Sequence, residues 1–180
     1  MLAFLLVAAV VIVSPGPDFA LTVHNTVARG RRAGMATSLG VVSGQLLWGV
    51  ATAAGLAALL VASRPAFTAL RFVGAAYLIW LGVQALRGRS HAAPKRRGSG
   101  FRQGFLSNAG NPKMAIFFTS LLPQFGGSLI AHSLLFSALT LLWLTLVVRI
   151  GSRVRVPRVV DYVTAVVLIA FGGALATRRA

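Results

Sequence analysis

Long apolar blocks, separated by short basic or glycine-containing stretches, follow one another along the whole chain. A helix that crosses the roughly 30 Å hydrocarbon core of a bilayer needs about 20 mostly apolar residues, and most of these blocks reach that length. The pattern predicts an all-α membrane protein with about six transmembrane helices. The predicted helices cover residues 2–28, 35–62, 66–86, 104–124, 129–148 and 159–176.

Composition supports a lipid bilayer as the surroundings of these helices. Of the 180 residues, 57% are hydrophobic and 11% are charged, whereas a soluble domain carries about 25% charged residues. The formal net charge of +16 is also typical of proteins that bind nucleic acids, but here the basic residues lie between the apolar blocks. We therefore expect the lipid bilayer as a partner and no nucleic acid.

The side-chain chemistry argues against an enzyme and against a bound cofactor or metal. The chain has no cysteine, which excludes disulfides and thiolate metal sites. Its three histidines, at positions 24, 91 and 132, lack the spacing of metal ligands. The sequence contains no nucleotide-binding loop and no catalytic-triad signature. We therefore predict that the protein is not an enzyme and uses no cofactor or metal.

A basic linker divides the chain into two halves. We predict a single membrane transport domain over residues 1–180, in which residues 1–88 form the first half, residues 89–100 a cytoplasmic linker and residues 101–180 the second half. Because each half contains an odd number of helices, the two halves must enter the membrane from opposite sides. This is the arrangement of inverted-repeat transporters.

The distribution of basic residues predicts the orientation of the chain. The connections after the first, third and fifth predicted helices contain 13 of the 18 Lys and Arg residues, whereas the opposite side contains four. Because basic loops remain in the cytoplasm, both termini are expected outside. The expected location is the bacterial inner membrane, as a multi-pass protein.

The first predicted helix of each half is interrupted by a proline motif. A proline inside a helix removes one backbone donor, and in a bilayer the freed backbone groups are tolerated only against protein or a water-filled cavity. An isolated proline commonly makes a simple kink, but paired interruptions at corresponding positions are typical of a transport site. The motifs are Ser14-Pro15-Gly16-Pro17-Asp18 and Gly110-Asn111-Pro112-Lys113.

Each motif carries an ionisable side chain, Asp18 in the first and Lys113 in the second. A charge at this depth is costly and indicates a functional site, although a structural ion pair or a position at the membrane surface would also explain it. We hypothesise that Asp18 attracts a substrate ammonium group or a coupling proton, that Lys113 attracts a carboxylate, and that the two pair when no substrate is bound. Gln45 either lines the same cavity or makes an interhelical hydrogen bond. The candidate substrate-binding residues are Pro15, Gly16, Pro17, Asp18, Gln45, Asn111, Pro112 and Lys113.

In their order and spacing, the motifs of this chain resemble those of the LysE/RhtB family of bacterial amino-acid exporters. The resemblance implies six transmembrane helices and export of small amino acids or derivatives such as homoserine lactone, driven by the proton-motive force rather than by ATP. The resemblance implies a role in transport for residues 15–18 and 111–113 and for no other residues. The stretch 147–157 is shorter than is typical of the family. Besides the proline motifs, the matching segments are Arg29-Gly30-Arg31-Arg32-Ala33-Gly34, Gly74-Ala75-Ala76-Tyr77-Leu78, Leu81-Gly82, Phe101-Arg102-Gln103-Gly104-Phe105, Asn108 and Leu122-Pro123-Gln124-Phe125.

Two other functions compete with amino-acid export. An exporter of a metal ion or another small solute is one, but hard cations prefer several oxygen ligands and the predicted helices offer one deep carboxylate. A membrane enzyme or electron carrier is the other, and it would need a catalytic set or cofactor ligands within the helices. Because one acid cannot also balance a cationic side chain, we expect a neutral amino acid as the substrate. The sequence leaves the oligomeric state open, and a homo-oligomer is compatible with it.

Overall fold

The computed structural model describes residues 1–55, 63, 65, 72, 76, 79, 80, 83, 99–152, 162, 163, 165–170 and 173. Most of the predicted third and sixth transmembrane helices, most of the linker and the end of the second predicted helix lie outside the described residues. The two long described stretches contain both proline motifs and are helical apart from short connections. The predicted all-α class is confirmed for this part of the chain.

The first half begins with a broken helix and continues with an unbroken one. Helix α1 (Leu2–Val13) ends at the first proline motif, α2 (Pro17–Arg29) continues from it at an angle of 51°, and α3 (Arg31–Ala53) follows. The break lies within the proline motif, because neither of its prolines has a backbone N–H that could continue the hydrogen bonding of α1. Gly30 joins α2 to α3 with a φ of +85°, a conformation that glycine adopts without steric penalty.

The second half repeats the pattern of a helix, a break at a proline motif and a second helix. Its elements are α4 (Ser99–Ala109), α5 (Pro112–Ile116), a π-helical segment (Phe117–Leu121), a 3₁₀ segment (Leu122–Phe125) and α6 (Leu129–Gly151). Helix α4 begins within the last two residues of the predicted linker. Gly126 and Gly127, with φ of 65° and 71°, form the predicted turn before α6.

Length and composition identify the described helices that are able to cross a bilayer. Helix α6 is long and apolar enough by itself. Helices α1 and α2 are long and apolar enough together, as one broken span. The described residues therefore provide one or two of the six predicted crossings. The arrangement of six helices in two inverted halves stays a prediction.

Helices α3 and α4 pack closely together through glycines. A Cβ atom added at Gly40 would overlap the backbone of Phe101, and one added at Gly104 would overlap the backbone carbonyl of Thr37. Small residues at such contacts allow helix backbones to approach closely within a membrane. This contact holds the first half of the chain against the second.

An apolar core joins α1, α3, the π-helical segment and α6. Phe4, Phe117, Phe118 and Phe136 are buried in it, and the rings of Phe117 and Phe136 stack with their centroids 4.3 Å apart. Other apolar side chains of the same helices face outward, and Leu142 is 70% exposed. Such outward-facing apolar side chains fit helices that are surrounded by lipid.

The arginines of the described helices collect at one end of the bundle. At this end α2 and α6 finish while α3 and α4 begin, because Gly34 lies next to Thr26 and Val148, and Gly100 lies next to Ala33. The arginines that the structure describes all belong to these helix ends, and they are Arg29, Arg31, Arg32, Arg102 and Arg149. This one-sided distribution fits the predicted topology. That the basic end faces the cytoplasm stays a prediction.

Candidate functional site at the two helix breaks

The first break places an acid at the start of α2. Gly16 is the N-cap, Pro17 is the first helical residue and Asp18 is the second. Proline suits the first position because the N–H that it lacks would have no partner in the helix. An acid near this end interacts favourably with the positive end of the helix dipole. The local sequence therefore accounts for the position of Asp18.

The carboxylate of Asp18 accepts three hydrogen bonds from the other half of the chain. Oγ of Ser107 donates to Oδ1 at 2.8 Å. The side-chain amides of Asn108 and Asn111 donate to Oδ2 at 2.8 Å and 2.9 Å. Hydrogen bonds to a charged group contribute about 1.5–3 kcal/mol each. Neutral side chains thus stabilise this charge inside the bundle.

The second break is organised around Asn111, which serves two elements at once. Asn111 is the N-cap of α5, and its Oδ1 accepts a hydrogen bond from the backbone N–H of Lys113 at 3.0 Å. Its Nδ2 group is the one that donates to Asp18. Pro112 occupies the first position of α5 and Lys113 the second. The break therefore repeats the order of the first one, with a cap, a proline and a charged residue.

The ammonium group of Lys113 is bound by backbone carbonyls at the end of α1. Nζ donates to the carbonyl oxygens of Val11 at 2.9 Å and of Ser14 at 3.0 Å. In a continuous helix the residue at position 15 would donate its N–H to the Val11 carbonyl, but Pro15 has no N–H. Lys113 takes the place of that missing donor. It also lies at the negative end of the α1 dipole, where a cation is favoured.

The contacts of the two charges are reciprocal, and no contact joins the charges themselves. Each lies at the start of a second helix and is bonded by the end of the other half's first helix. Asp18 is bonded by residues of α4, and Lys113 by residues of α1. The expected direct ion pair is absent between these two described side chains. Neutral donors bind Asp18 and backbone carbonyls bind Lys113 instead.

Asp18 and Lys113 line one small cavity between the breaks. Its volume is about 30 Å³, and a cavity of that size has space for about one water molecule. Gly16 and Gln45 also line it, together with Thr140 and other residues of α3 and α6. Four of the predicted site residues are thus brought together around one space.

The other predicted residues act at the breaks rather than in the cavity wall. Asn111 is buried and bridges the two charged residues through its hydrogen bonds. Pro17 is buried at the start of α2, whereas Pro15 is exposed. Pro112 occupies the first position of α5.

Gln45 is buried on α3 and connects it with α6. Its Nε2 group donates to Oγ1 of Thr140 at 3.2 Å and lies 3.9 Å from the sulfur of Met114. The side chain is 2% exposed, and its Oε1 atom has no hydrogen-bond partner among the described residues. Both sequence-based interpretations of Gln45 therefore describe the same side chain, which makes an interhelical hydrogen bond and also lines the cavity.

Sequence reasoning did not single out Ser107 and Asn108 as partners of Asp18. The sequence signal for them was their position near the end of α4, about one helical turn before Asn111 and just before the second break. Gly44 of α3 makes room for Asn108, because an added Cβ would come within 2.8 Å of its Oδ1 atom. The three polar side chains and this glycine together form the binding surface for the carboxylate.

Comparison with known proteins gives a family and several relatives. The model of the LysE type translocator family matches residues 9–179. An uncharacterized membrane protein of Bacillus subtilis (strain 168), YrhP, is 30% identical over 96% of each chain. The threonine efflux protein of Escherichia coli (strain K12) is 35% identical over 71% of this chain and 68% of its own length. The homoserine/homoserine lactone efflux protein of Salmonella typhimurium is 34% identical over 68% of this chain and 63% of its own length.

No solved structure gives a significant match. The family match extends over nearly the whole chain and includes both helix breaks, the four helix ends at the basic side and the cavity. It confirms the resemblance that the motifs indicated. The chain belongs to the LysE type translocator family, whose members are membrane-embedded efflux transporters and not enzymes.

Proposed function

We propose that this protein is a secondary active exporter of neutral amino acids, or of derivatives such as homoserine lactone, across the bacterial inner membrane. The observation that carries the proposal is that an acid and a base line one cavity between two helix breaks, each bound by other partners and not by a direct salt bridge between them. The names of the relatives, which refer to efflux of threonine and of homoserine and its lactone, support the same class of substrate.

Each charge retains the capacity for one more partner. A carboxylate offers about four acceptor sites, and Asp18 uses three of them. A lysine ammonium group has three donors, and Lys113 uses two of them. The ammonium group of an amino acid would bind the remaining site on Oδ1 of Asp18. Its carboxylate would bind the remaining donor of Lys113.

Substrate binding requires the helices around the cavity to separate. The cavity of about 30 Å³ holds about one water molecule, and an amino acid is several times larger. Inverted-repeat transporters open alternately to each side by rocking one half against the other around a central site. The reciprocal contacts support this mechanism, because the bonds of Asp18 to α4 and of Lys113 to the end of α1 link the two halves at the site.

The charges of the site favour a neutral amino acid. Asp18 is the acid of the cavity wall, and the chain contains one other acid, Asp161. A lysine or arginine substrate would bring a second positive charge, which is costly in the membrane without a partner. The same reasoning disfavours a metal ion, because the Lys113 ammonium group already occupies the two carbonyls that could coordinate a cation.

The proposed driving force is the proton-motive force. The sequence has no nucleotide-binding loop that would couple transport to ATP. Ionisable side chains within the membrane commonly serve as proton carriers in transporters, and the Asp18 carboxylate would bind either a proton or the substrate ammonium group. Proton coupling at Asp18 would therefore use the same carboxylate as substrate binding.

Purified protein in proteoliposomes tests the function. We expect an imposed proton gradient to accelerate transport of threonine and leucine, a protonophore to remove that acceleration, and lysine to be transported more slowly. Asp18→Asn should abolish transport while leaving the protein in the membrane. Transport of lysine faster than of the neutral amino acids, or normal transport by Asp18→Asn, would contradict the proposal.

A further inference from the structure

Two residues that line the cavity each carry a buried polar atom with no hydrogen-bond partner among the described residues. The atoms are Oε1 of Gln45 and the indole Nε1 of Trp143. An unsatisfied buried polar atom is costly and rare in native proteins. A ligand that supplies the missing partners would remove that cost.

The orientation of the Gln45 amide follows from its neighbour. Oγ1 of Thr140 donates its proton to the backbone carbonyl of Phe136 at 2.9 Å, so it can only accept from Gln45. Gln45 must therefore present its Nε2 group to Thr140, which leaves Oε1 as the free atom. Oε1 is an acceptor without a donor.

Trp143, another residue that lines the cavity, carries the complementary hydrogen-bonding group. It follows Thr140 by three residues on α6, and residues with that spacing share one face of a helix. The indole Nε1 atom can only donate a hydrogen bond. The residues of the cavity wall therefore include one acceptor, on Gln45, and one donor, on Trp143, that have no partner among the described residues.

A hydroxyl group is the small substituent that matches this pair, because it both donates and accepts. The surrounding wall is apolar and includes Val41, Phe136 and Leu144, which suits the aliphatic carbons that carry a hydroxyl. An aliphatic side chain alone would leave both polar atoms unsatisfied. A cationic side chain could not accept the bond that the indole offers.

We propose that Oε1 of Gln45 and Nε1 of Trp143 bind the side-chain hydroxyl of the substrate, so that the site prefers hydroxylated amino acids over aliphatic ones of the same shape. This inference rests on the amino-acid export proposed above. Asp18 and Lys113 bind the groups that all amino acids share, whereas Gln45 and Trp143 distinguish between side chains.

Threonine and valine provide the matched pair of substrates, since they have nearly the same shape and differ by a hydroxyl in place of a methyl group. Their initial transport rates are measured separately in proteoliposomes at low substrate concentration. We expect the wild-type protein to transport threonine about ten times faster or more, because a site built for a hydroxyl rejects an analogue that lacks it. A ratio near one in the wild-type protein would overturn the inference without any variant.

Gln45→Leu and Trp143→Phe should each reduce the threonine-to-valine ratio by roughly fivefold or more. Trp48→Phe is the matched control, because its indole Nε1 atom also has no partner among the described residues but it is not part of the cavity wall. We expect that variant to keep the wild-type ratio. An unchanged ratio in both cavity variants, or an equal loss in Trp48→Phe, would overturn the assignment.

The outcomes separate this inference from the proposed function. If the wild-type protein transports neutral amino acids with no preference for the hydroxyl, only the assignment of Gln45 and Trp143 fails. If it transports no amino acid, the proposed function fails and the inference fails with it. The amount of folded protein in each preparation, measured by gel filtration in detergent, normalises the rates.

Discussion

The two helix breaks have the same order of residues, but the first carries a negative charge and the second a positive charge. Each consists of a cap, a proline and a charged residue, Gly16-Pro17-Asp18 in the first half and Asn111-Pro112-Lys113 in the second. The acid is bound by three side chains of the other half, whereas the ammonium group is bound by two backbone carbonyls. The partners of the acid can therefore be replaced one at a time by mutation, and those of the base cannot.

The difference follows from which backbone groups each break leaves free. At the end of α4, backbone donors reach the carbonyls of Leu106 and Asn108, since the N–H of Gly110 donates to Leu106 and that of Asn111 donates to Asn108. At the end of α1, Pro15 withholds such a donor, and the Val11 carbonyl becomes available to Lys113. A carboxylate only accepts hydrogen bonds, so free carbonyls could not serve it. Side chains that donate hydrogen bonds therefore surround Asp18. Pro15, which leaves the Val11 carbonyl available, lies near Lys113.

The double variant Asp18→Asn/Lys113→Met tests whether the two charges act through separate partners, and it has the largest expected effect. Because the charges have separate partners rather than each other, removing both should not restore what removing either one abolishes. We expect Lys113→Met and the double variant to lose transport by about a hundredfold or more, the loss expected when a charged contact of a few kcal/mol disappears. The measurement is threonine efflux from loaded cells, normalised to the amount of protein in the membrane. Recovery of efflux in the double variant would instead favour a structural ion pair.

Replacing the donors of the acid should give a graded loss. Asn111→Ala removes both the hydrogen bond to Asp18 and the cap of α5, which together contribute about 3 kcal/mol, so transport should fall by about a hundredfold. Ser107→Ala removes a single hydrogen bond and should reduce it by about tenfold. Initial rates in proteoliposomes measure both.

Ser137→Ala is the control for this series, because Oγ of Ser137 is buried on α6 without a partner among the described residues and has no hydrogen bond to lose. It should retain transport. Equal losses in Ser107→Ala and Ser137→Ala would mean that the hydroxyl bound to Asp18 has no special role.

The smallest expected effect comes from the prolines of the first break. Pro15→Ala introduces an N–H that competes with Lys113 for the Val11 carbonyl, at a cost of about 1 kcal/mol and a loss of transport of about fivefold. Pro17→Ala should have less effect, because the first position of a helix has no hydrogen-bond partner for its N–H. Initial rates at saturating threonine distinguish the two. A larger loss in Pro17→Ala would show that the ring of Pro17 matters more than the missing donor of Pro15.

The residues of the two breaks show how far sequence reasoning reaches. The positions of the breaks and the identity of the charged residues follow from prolines and from isolated charges in apolar segments, which act locally. Ser107 and Asn108 were not identified as partners of Asp18, because they lie 89 and 90 residues away along the chain. The expected pairing of Asp18 with Lys113 takes no form of direct contact between these two described side chains, since partners from another helix bind each of them.

The sequence by itself determined the class of the molecule, because the length of its apolar blocks matches a bilayer, the order of its motifs identifies the LysE type family, and each proline acts on its own turn of helix.

Only the tertiary structure decided which groups satisfy the two charges. The close packing of α3 on α4 through Gly40 and Gly104 places Asn108 and Ser107 beside Asp18. The break of α1 directs two carbonyls towards Lys113. The cavity likewise results from α3, α5 and α6 meeting at one place, as do the Gln45 oxygen and the Trp143 donor that lack partners among the described residues. Such contacts between distant segments depend on packing geometry, which no local pattern encodes.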